Sequence, residues 1–236
     1  MLISMKSRVW VTLTSLEKNF KPYGISFSNG YSFDEIKELM HLRDRTPNDV
    51  ERIIELSKMI NRIRFRYLNF TDIGQVPISL HLGLADQMPM RNFSMCRILD
   101  SFIILSEATA NILANFNLGT SRIHAVKFKD AENGKLYYLL NVCECRRYII
   151  KEKCENGNFD SIKSTTGGMQ LHLKRSFHKD FNVAVSTSAG NNALDLWHDP
   201  ELKYSIFISE RLRKALESKG LSQDWCMKEC KVISSE

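Results

Sequence analysis

Residues 204–232, YSIFISERLRKALESKGLSQDWCMKECKV, carry the pattern of a strand, a helix and a second strand. Residues 205–208 favour a strand, and Ser209 follows them as a helix N-cap, with Glu210 at the positive end of the helix dipole. Gly220 is predicted to end the helix, because glycine adopts the left-handed conformation of that position at little cost. Capping residues therefore mark both ends of a short helix that directly follows a strand.

The helix in this unit is predicted to be amphipathic. Leu212, Ala215 and Leu216 recur at the spacing of one helical face, which is expected to be buried. Leu221, directly after Gly220, is the apolar residue that a Schellman ending places against the last turn.

The same order of features occurs earlier, in residues 102–128, FIILSEATANILANFNLGTSRIHAVKF. Aligning Ser106 with Ser209 places Asn117 over Gly220, and asparagine also tolerates a positive φ. Two interpretations remain open. The similarity is either an internal duplication or the convergence of two strand-to-helix turns on the same capping residues.

Two helices are predicted near the N-terminus. Ser32, with Glu35 three residues later, forms a capping box for the first helix. Thr46 caps the second helix, with Pro47 at N1 and Asp49 at N3. The connection RDRT is short, so the helices are expected to form a hairpin.

The remaining segments are mostly strand-like. Strands are predicted at residues 8–14, 123–128, 136–143, 148–153, 159–162 and 169–173. The second and third are expected to pair around Asn133-Gly134, and the fourth and fifth to form a second hairpin. Residues 186–202 are predicted to be a loop that holds Trp197. This pattern predicts an α+β fold in which helices flank a mixed or antiparallel sheet, with residues 1–95 as an N-terminal region and 96–236 as the core.

The charge of the chain is positive but dispersed. Its formal net charge is +6 and its pI is about 9.0, yet 27 acidic residues are mixed with the 33 basic ones, which argues against a nucleic-acid partner. The densest basic stretch, NRIRFRYLNF at residues 61–70, interleaves arginines with aromatic residues. It fits either stacking on single-stranded nucleic acid or, as we prefer, a helix end whose aromatic side chains are core.

Other patterns argue against a membrane partner, a metal and a cofactor. No apolar run approaches the roughly 18 residues of a membrane helix, and no signal peptide is recognised, so a cytoplasmic protein is expected. Cys143 and Cys145 with Cys226 and Cys230 lack the CxxC spacing of a zinc site, and free thiols are predicted instead.

No motif supports catalysis, and the chain is predicted not to be an enzyme. Residues with suitable chemistry are His178 with Asp180, His198 with Asp199, and the hydroxyls of Ser186 and Ser188. None of them lies in a recognisable nucleophile, acid-base or phosphate-loop motif.

Three phrases resemble a family of immunity proteins, of myxobacterial type, from bacterial polymorphic toxin systems. They are LYYLLNV at residues 136–142, FISERLRKALESKGLSQDW at 207–225, and the strand-helix start FIILSE at 102–107. The resemblance covers roughly residues 98–232. The family commonly has a glycine shortly after the final Gly-Leu, where this chain has Ser222-Gln223-Asp224, so the kind of toxin stays open.

The resemblance implies a cytosolic protein that binds the C-terminal domain of a cognate toxin and neutralises it without catalysis or cofactors. Its family phrases would form the core, and the other segments would form the interface. The predicted contact residues are Arg62, Arg64, Arg66, Arg146, Arg147 and Trp197. Because the chain is basic, the partner is expected to present an acidic face. The alternatives are a basic nucleic-acid-binding module and a small hydrolase or transferase.

Overall fold

A computed structural model describes residues 8–12, 25–28, 39–74, 79–82, 93–97, 102–128, 136–154, 159–163, 169–173, 182–202 and 205–234. The helices are α1 (Pro47–Leu68), α2 (Glu107–Leu113), α3 (Thr187–Gly190) and α4 (Glu210–Ser218), with short 3-10 turns at Lys151–Lys153 and Gln223–Trp225. The strands are β1 (Val9–Thr12), β2 (Ile25–Ser28), β3 (Ser79–Leu82), β4 (Met95–Arg97), β5 (Ile103–Ser106), β6 (Arg122–Phe128), β7 (Leu136–Asn141), β8 (Phe159–Lys163), β9 (Met169–Leu173), β10 (Ala184–Ser186), β11 (Leu196–Trp197), β12 (Ile206–Ser209), β13 (Met227–Glu229) and β14 (Lys231–Ile233). The predicted α+β fold is confirmed.

The larger sheet has six strands in the order β2-β3-β6-β7-β5-β4. Strands β6 and β7 form the predicted antiparallel hairpin, with Ile123 opposite Leu140. The other neighbouring pairs are also antiparallel, except that β3 and β6 are parallel. Leu139 and Leu140 in β7 are fully buried, as expected for a strand with neighbours on both sides.

A second sheet, of four antiparallel strands, has the order β11-β12-β1-β13. Strand β1 lies between β12 and β13, with Trp10 opposite Ile208 on one side and Glu229 on the other. The N-terminal strand therefore shares a sheet with the last third of the chain.

This four-stranded sheet separates two hydrophobic cores, because side chains alternate between the faces of a strand. In β12, Ile206 and Ile208 face the core formed with α2, α4 and Trp225, whereas Phe207 faces the other core. In the same way, Leu196 and Trp197 of β11 belong to different cores.

The strand and helix at 206–218 form as predicted. The Ser209 hydroxyl accepts a hydrogen bond from the Leu212 amide at 3.1 Å. At the other end Gly220 has φ 67°, the Leu221 amide donates to the Leu216 carbonyl, and the Gly220 amide donates to the Glu217 carbonyl, both at 2.9 Å. The helix therefore ends in the expected Schellman motif.

The unit at residues 102–128 matches the unit at residues 204–232 at the start of its helix and differs at the end. Ser106 is the N-cap of α2, but that helix ends at Leu113, and the left-handed residue of the following turn is Gly119 with φ 59°. Asn117, which the alignment places over Gly220, does not adopt a positive φ. A third strand-serine-helix turn occurs at Ser186, and the three N-cap residues share φ near −70° and ψ near 158°. This recurrence favours convergence on a common capping geometry.

Two predictions in the middle of the chain are wrong. Residues 148–153 do not pair with β8, which pairs with β9 instead, because the amides of Tyr148 and Ile149 are bound by the Asp199 carboxylate at 2.7 and 2.9 Å. Residues 186–202 are not a loop throughout, since they contain α3 and β11. The first error arises from hydrogen bonds to the distant Asp199, and the second arises in part from the pairing of β11 with β12.

Near the N-terminus, α1 starts as predicted, with a complete capping box between Thr46 and Asp49. Residues 39–41 are helical and a short connection joins them to α1, as expected for the helical hairpin. The predicted cap at Ser32 lies outside the described residues. Among the helices of the described ranges, none is long and apolar enough to cross a membrane.

Candidate partner-binding surface

Helix α1 carries apolar side chains on two opposite faces, as the period of 3.6 residues per turn shows. The buried face consists of Leu56, Ile63 and Tyr67. The exposed face consists of Val50, Ile54, Phe65 and Leu68. Phe65 is the most exposed of these, at 67% of its surface. We call Phe65 and the neighbouring Arg62 and Arg66 the α1 surface.

Residues 61–70, the basic and aromatic stretch, lie partly on the surface and partly in the core. Arg62 is exposed and Arg66 is half-buried, while the side chain of Arg64 lies outside the described structure. The expectation that the interleaved aromatics are core holds for Tyr67, which is 8% exposed, but is wrong for Phe65. A second apolar stripe on one predicted helix was the sequence pattern that could have identified Phe65.

Hydrogen bonds to the six-stranded sheet hold the C-terminal end of α1 in place. The buried Tyr67 hydroxyl donates to the Leu140 carbonyl at 2.9 Å and accepts from the Ile103 amide at 2.8 Å. Just beyond the helix, the Asn141 side chain accepts from the Ile73 amide at 3.0 Å. The α1 surface is therefore presented on a helix end that is anchored to two strands.

Phe70 and His198 connect this helix end to the segment that carries Arg146 and Arg147. Phe70 has φ 54°, a strained value for a bulky residue, and its ring lies parallel to the His198 imidazole with centroids 3.2 Å apart. The His198 amide donates to the Glu144 carbonyl, and its own carbonyl accepts from the Arg146 amide. The Phe70–His198 contact therefore joins the end of α1 to the segment that carries Arg146 and Arg147.

Arg146 and Arg147 are exposed, but each is paired with a carboxylate. Arg146 lies 2.6 Å from Glu144, and Arg147 lies 2.7 Å from Glu201. Exposed ion pairs contribute about 0–1 kcal/mol, so Arg147, which is 72% exposed, can exchange its partner at little cost. Arg146 is held more firmly, because its partner Glu144 is only 8% exposed. Both arginines remain candidate contact residues.

The predicted surface position of Trp197 is wrong. Its side chain is 1% exposed, and its ring packs against Phe207 and Tyr148. The polar neighbours that suggested a surface loop, Asp195 and Asp199, are themselves buried and hydrogen-bonded. Trp197 is therefore a core residue and not a contact residue.

The candidate catalytic groups do not form a dyad where the structure describes them. The Asp199 carboxylate binds the amides of Tyr148, Ile149 and Glu201, not the adjacent His198 ring. Ser186 serves as the N-cap of α3, although its side chain makes no capping hydrogen bond. His178 and Asp180 lie outside the described residues.

Four cysteines among the described residues form no disulfide. They are Cys143, Cys145, Cys154 and Cys230. Burial raises the pKa of the Cys143 thiol to about 11, which keeps it protonated at neutral pH. Within the described ranges, no group of three or more potential ligands is placed to hold a metal ion.

The pH dependence of stability is expected to report the burial of His198. Burial lowers the pKa of His198 from 6.5 to about 3. Below pH 6.5 the unfolded chain therefore binds a proton at this residue that the folded protein does not bind. This contribution to stability is complete above pH 6.5 and is lost as the pH falls toward 3. Between pH 7 and pH 5 we expect the free energy of unfolding to decrease by about 2 kcal/mol from this residue.

Urea denaturation at several pH values measures this loss, with His198→Gln as the control. Glutamine does not titrate, so its stability should change less over the same interval. Equal slopes for the two proteins would show that His198 is not the group responsible.

No family model matches the chain, and no curated protein matches it. The fold and the surface together define an α+β protein that presents an anchored, basic and partly aromatic helix end.

Proposed function

We propose that this protein is an immunity protein that acts in the cytoplasm, where it binds the C-terminal domain of a cognate bacterial toxin and neutralises it. Binding would use the α1 surface together with Arg146 and Arg147, whose segment is joined to the end of α1 through the Phe70–His198 contact. The observation that carries the proposal is the 67% exposure of Phe65 on a helix that is anchored through its opposite face. The three phrases that resemble immunity proteins support the same conclusion.

The chemistry of the α1 surface suits tight binding. Aromatic and arginine side chains dominate the energetic centres of protein interfaces, because they bury a large area and still make polar contacts. Anchoring through Tyr67 and the Phe70–His198 stack holds the helix end before the partner arrives. Preorganisation reduces the entropy that binding would otherwise cost.

The charge of this region favours a toxin domain with an acidic face. Lys58 and Arg62 are exposed on α1, and Arg66 is partly exposed near Phe65. A complementary acidic surface would accelerate association and set the orientation of the complex. An acidic partner surface argues against an immunity protein that mimics nucleic acid. Such a mimic would be acidic, because it would cover the basic active site of a nuclease.

Neutralisation can be tested with the protein encoded immediately upstream. Its C-terminal domain should be toxic when produced alone and harmless when co-expressed with this chain, and calorimetry should give a dissociation constant in the nanomolar range. Absence of both rescue and binding would refute this pairing.

Phe65→Ala is expected to weaken toxin binding by about 30-fold or more, because it removes an aromatic anchor from the centre of the interface. Stability should change little, since most of this side chain is in solvent. Calorimetry and thermal denaturation measure the two effects. Leu136→Ala is the matched control, because Leu136 is also an exposed apolar residue, at 40%, but lies at the start of β7. Equal affinities of the two variants would exclude the α1 surface as the interface.

A nucleic-acid-binding module is the second candidate, and the same exposed Phe65 between arginines favours it, since bases stack on aromatic side chains. Titration with a single-stranded oligonucleotide at increasing salt tests it. An affinity that falls steeply with salt and depends on Phe65 would support this function. Lack of binding at low salt would exclude it.

A further inference from the structure

A cleft of about 810 Å³ lies on a different part of the protein, between the start of α4, residues 189–195 and the segment entering β1. Its size is within the range of small-molecule sites. Its charged lining consists of Arg8, Arg211, Arg213 and Lys214 with Asp195 and Glu210, which is four positive against two negative side chains. The side chains that line the cleft therefore carry an excess of positive charge, although Arg8 and Arg213 are also paired with Glu229 and Glu217 outside it. The N-terminus of α4 adds to the positive potential.

Two of the arginines form a fixed part of the lining. Arg213 is bound to Glu210 through Nε at 2.9 Å and lies over the Trp10 ring at 4.4 Å. Arg211 binds the buried Asp195 through Nε and Nη2. These bonds leave the Nη1 group of Arg211 without an acceptor among the described residues, on a side chain that is 67% exposed.

The other two cations are held only weakly. Arg8 lies 3.5 Å from Glu229, and Lys214 lies 3.5 Å from Glu210. Their side chains are 60% and 68% exposed. Exposed pairs at this distance contribute little to stability, so both side chains can turn toward an anion at small cost.

Asn192 supplies an uncharged donor without a partner. Its Oδ1 atom accepts from the Leu194 amide at 3.1 Å, which fixes the orientation of the side chain. Its Nδ2 group is buried in the cleft wall and has no acceptor in the part of the chain that the structure describes. Buried donors are nearly always satisfied, so a small opening of the cleft wall that let this atom reach a bound acceptor would be favourable.

We propose that this cleft binds the phosphate group of a small molecule, a role that is independent of the toxin-binding surface. A phosphate group offers three terminal oxygens in different directions. Phosphate oxygens accept well from guanidinium, ammonium and amide donors, and Arg8, Arg211, Lys214 and Asn192 supply all three kinds in the lining of the cleft. A planar carboxylate has only two oxygens and matches this set of donors less well.

Calorimetry of the full chain with pyrophosphate tests the proposal. We expect a dissociation constant below about 1 mM. Arg8→Gln and Lys214→Gln should each weaken binding by about tenfold, because each removes a charged donor. Asn192→Asp should weaken it at least as much, since it keeps the acceptor for Leu194 but replaces the donor with a negative oxygen. Lys219→Gln is the matched control, because Lys219 is exposed at the opposite end of α4.

Three results would overturn the proposal. They are a lack of pyrophosphate binding, an equal loss of affinity in the Lys219→Gln control, and binding of succinate as tight as that of pyrophosphate at the same ionic strength. Unchanged thermal denaturation of the variants verifies that they are folded. The outcome is separate from the toxin assay, because it involves neither the toxin nor the α1 surface.

Discussion

Asp195→Ala is expected to reduce the free energy of unfolding by about 3 kcal/mol, because it removes a buried carboxylate and leaves its donors unsatisfied. Asp195 is 1% exposed and accepts from the Asn117 amide at 2.9 Å, the Ser209 hydroxyl at 2.5 Å and Arg211 Nε at 2.9 Å. Burial raises the pKa of Asp195, but the bonds from Arg211, Ser209 and Asn117 outweigh it and keep the pKa below its usual value. Through these bonds the Asp195 carboxylate connects the segment after α2, at Asn117, with the N-cap of α4 at Ser209.

Chemical denaturation measures this loss in the free energy of unfolding. The variant Arg211→Gln separates the contribution of the ion pair from that of the other hydrogen bonds to Asp195. Arg211 is largely exposed, so water can replace part of its interaction, and we expect a loss of about 1 kcal/mol. An equal loss in both variants would show that the ion pair, and not the bonds to Asn117 and Ser209, provides the stability. A loss below about 1 kcal/mol for Asp195→Ala would contradict the structural role of this residue.

Gly119→Ala is expected to cost about 3 kcal/mol, from a left-handed backbone and a steric overlap together. Gly119 has φ 59°, and a β-carbon added there would overlap the Glu144 carboxylate, lying 2.7 Å from its carboxyl carbon. Glu144 accepts from the Thr120 amide at 2.8 Å and from the Thr120 hydroxyl at 2.9 Å. Moving this carboxylate would break both bonds and disturb the segment that carries Arg146.

Gly220→Ala is the matched control for this substitution. Gly220 has a similar φ of 67°, but a β-carbon there would meet no atom within 4 Å. Its loss should be only the conformational cost of about 1 kcal/mol. Thermal or urea denaturation of the two variants therefore isolates the contribution of the close approach. Equal losses at the two positions would show that Glu144 moves aside freely.

The candidate interface was only partly predictable from the sequence. The basic character and exposure of Arg62 follow from the local pattern, whereas the exposure of Phe65 depends on which face of α1 packs on the sheet. Trp197 shows the opposite error, because its polar neighbours suggested a surface loop and the structure buries it. The cleft brings together Arg8, Asn192 and Lys214, and no local pattern connects these residues.

The sequence by itself determined the local turns and the fold class. The caps at Thr46, Ser106 and Ser209 and the helix end at Gly220 form as predicted, because each cap or turn bond joins atoms no more than five residues apart. The residue pair Asn133-Gly134 between two strand-like runs predicted the β6–β7 hairpin, because strands that follow one another across a short turn pair with each other.

Only the tertiary structure decided where the buried carboxylates bind and how the strands are ordered. Asp195 bonds to Asn117 across 78 positions, and Asp199 bonds to Tyr148 across 51. These bonds replaced a predicted strand pairing and turned a predicted loop into core. A buried polar group takes whichever partner folding brings within reach, and sequence spacing carries no information about that partner when the two lie far apart along the chain.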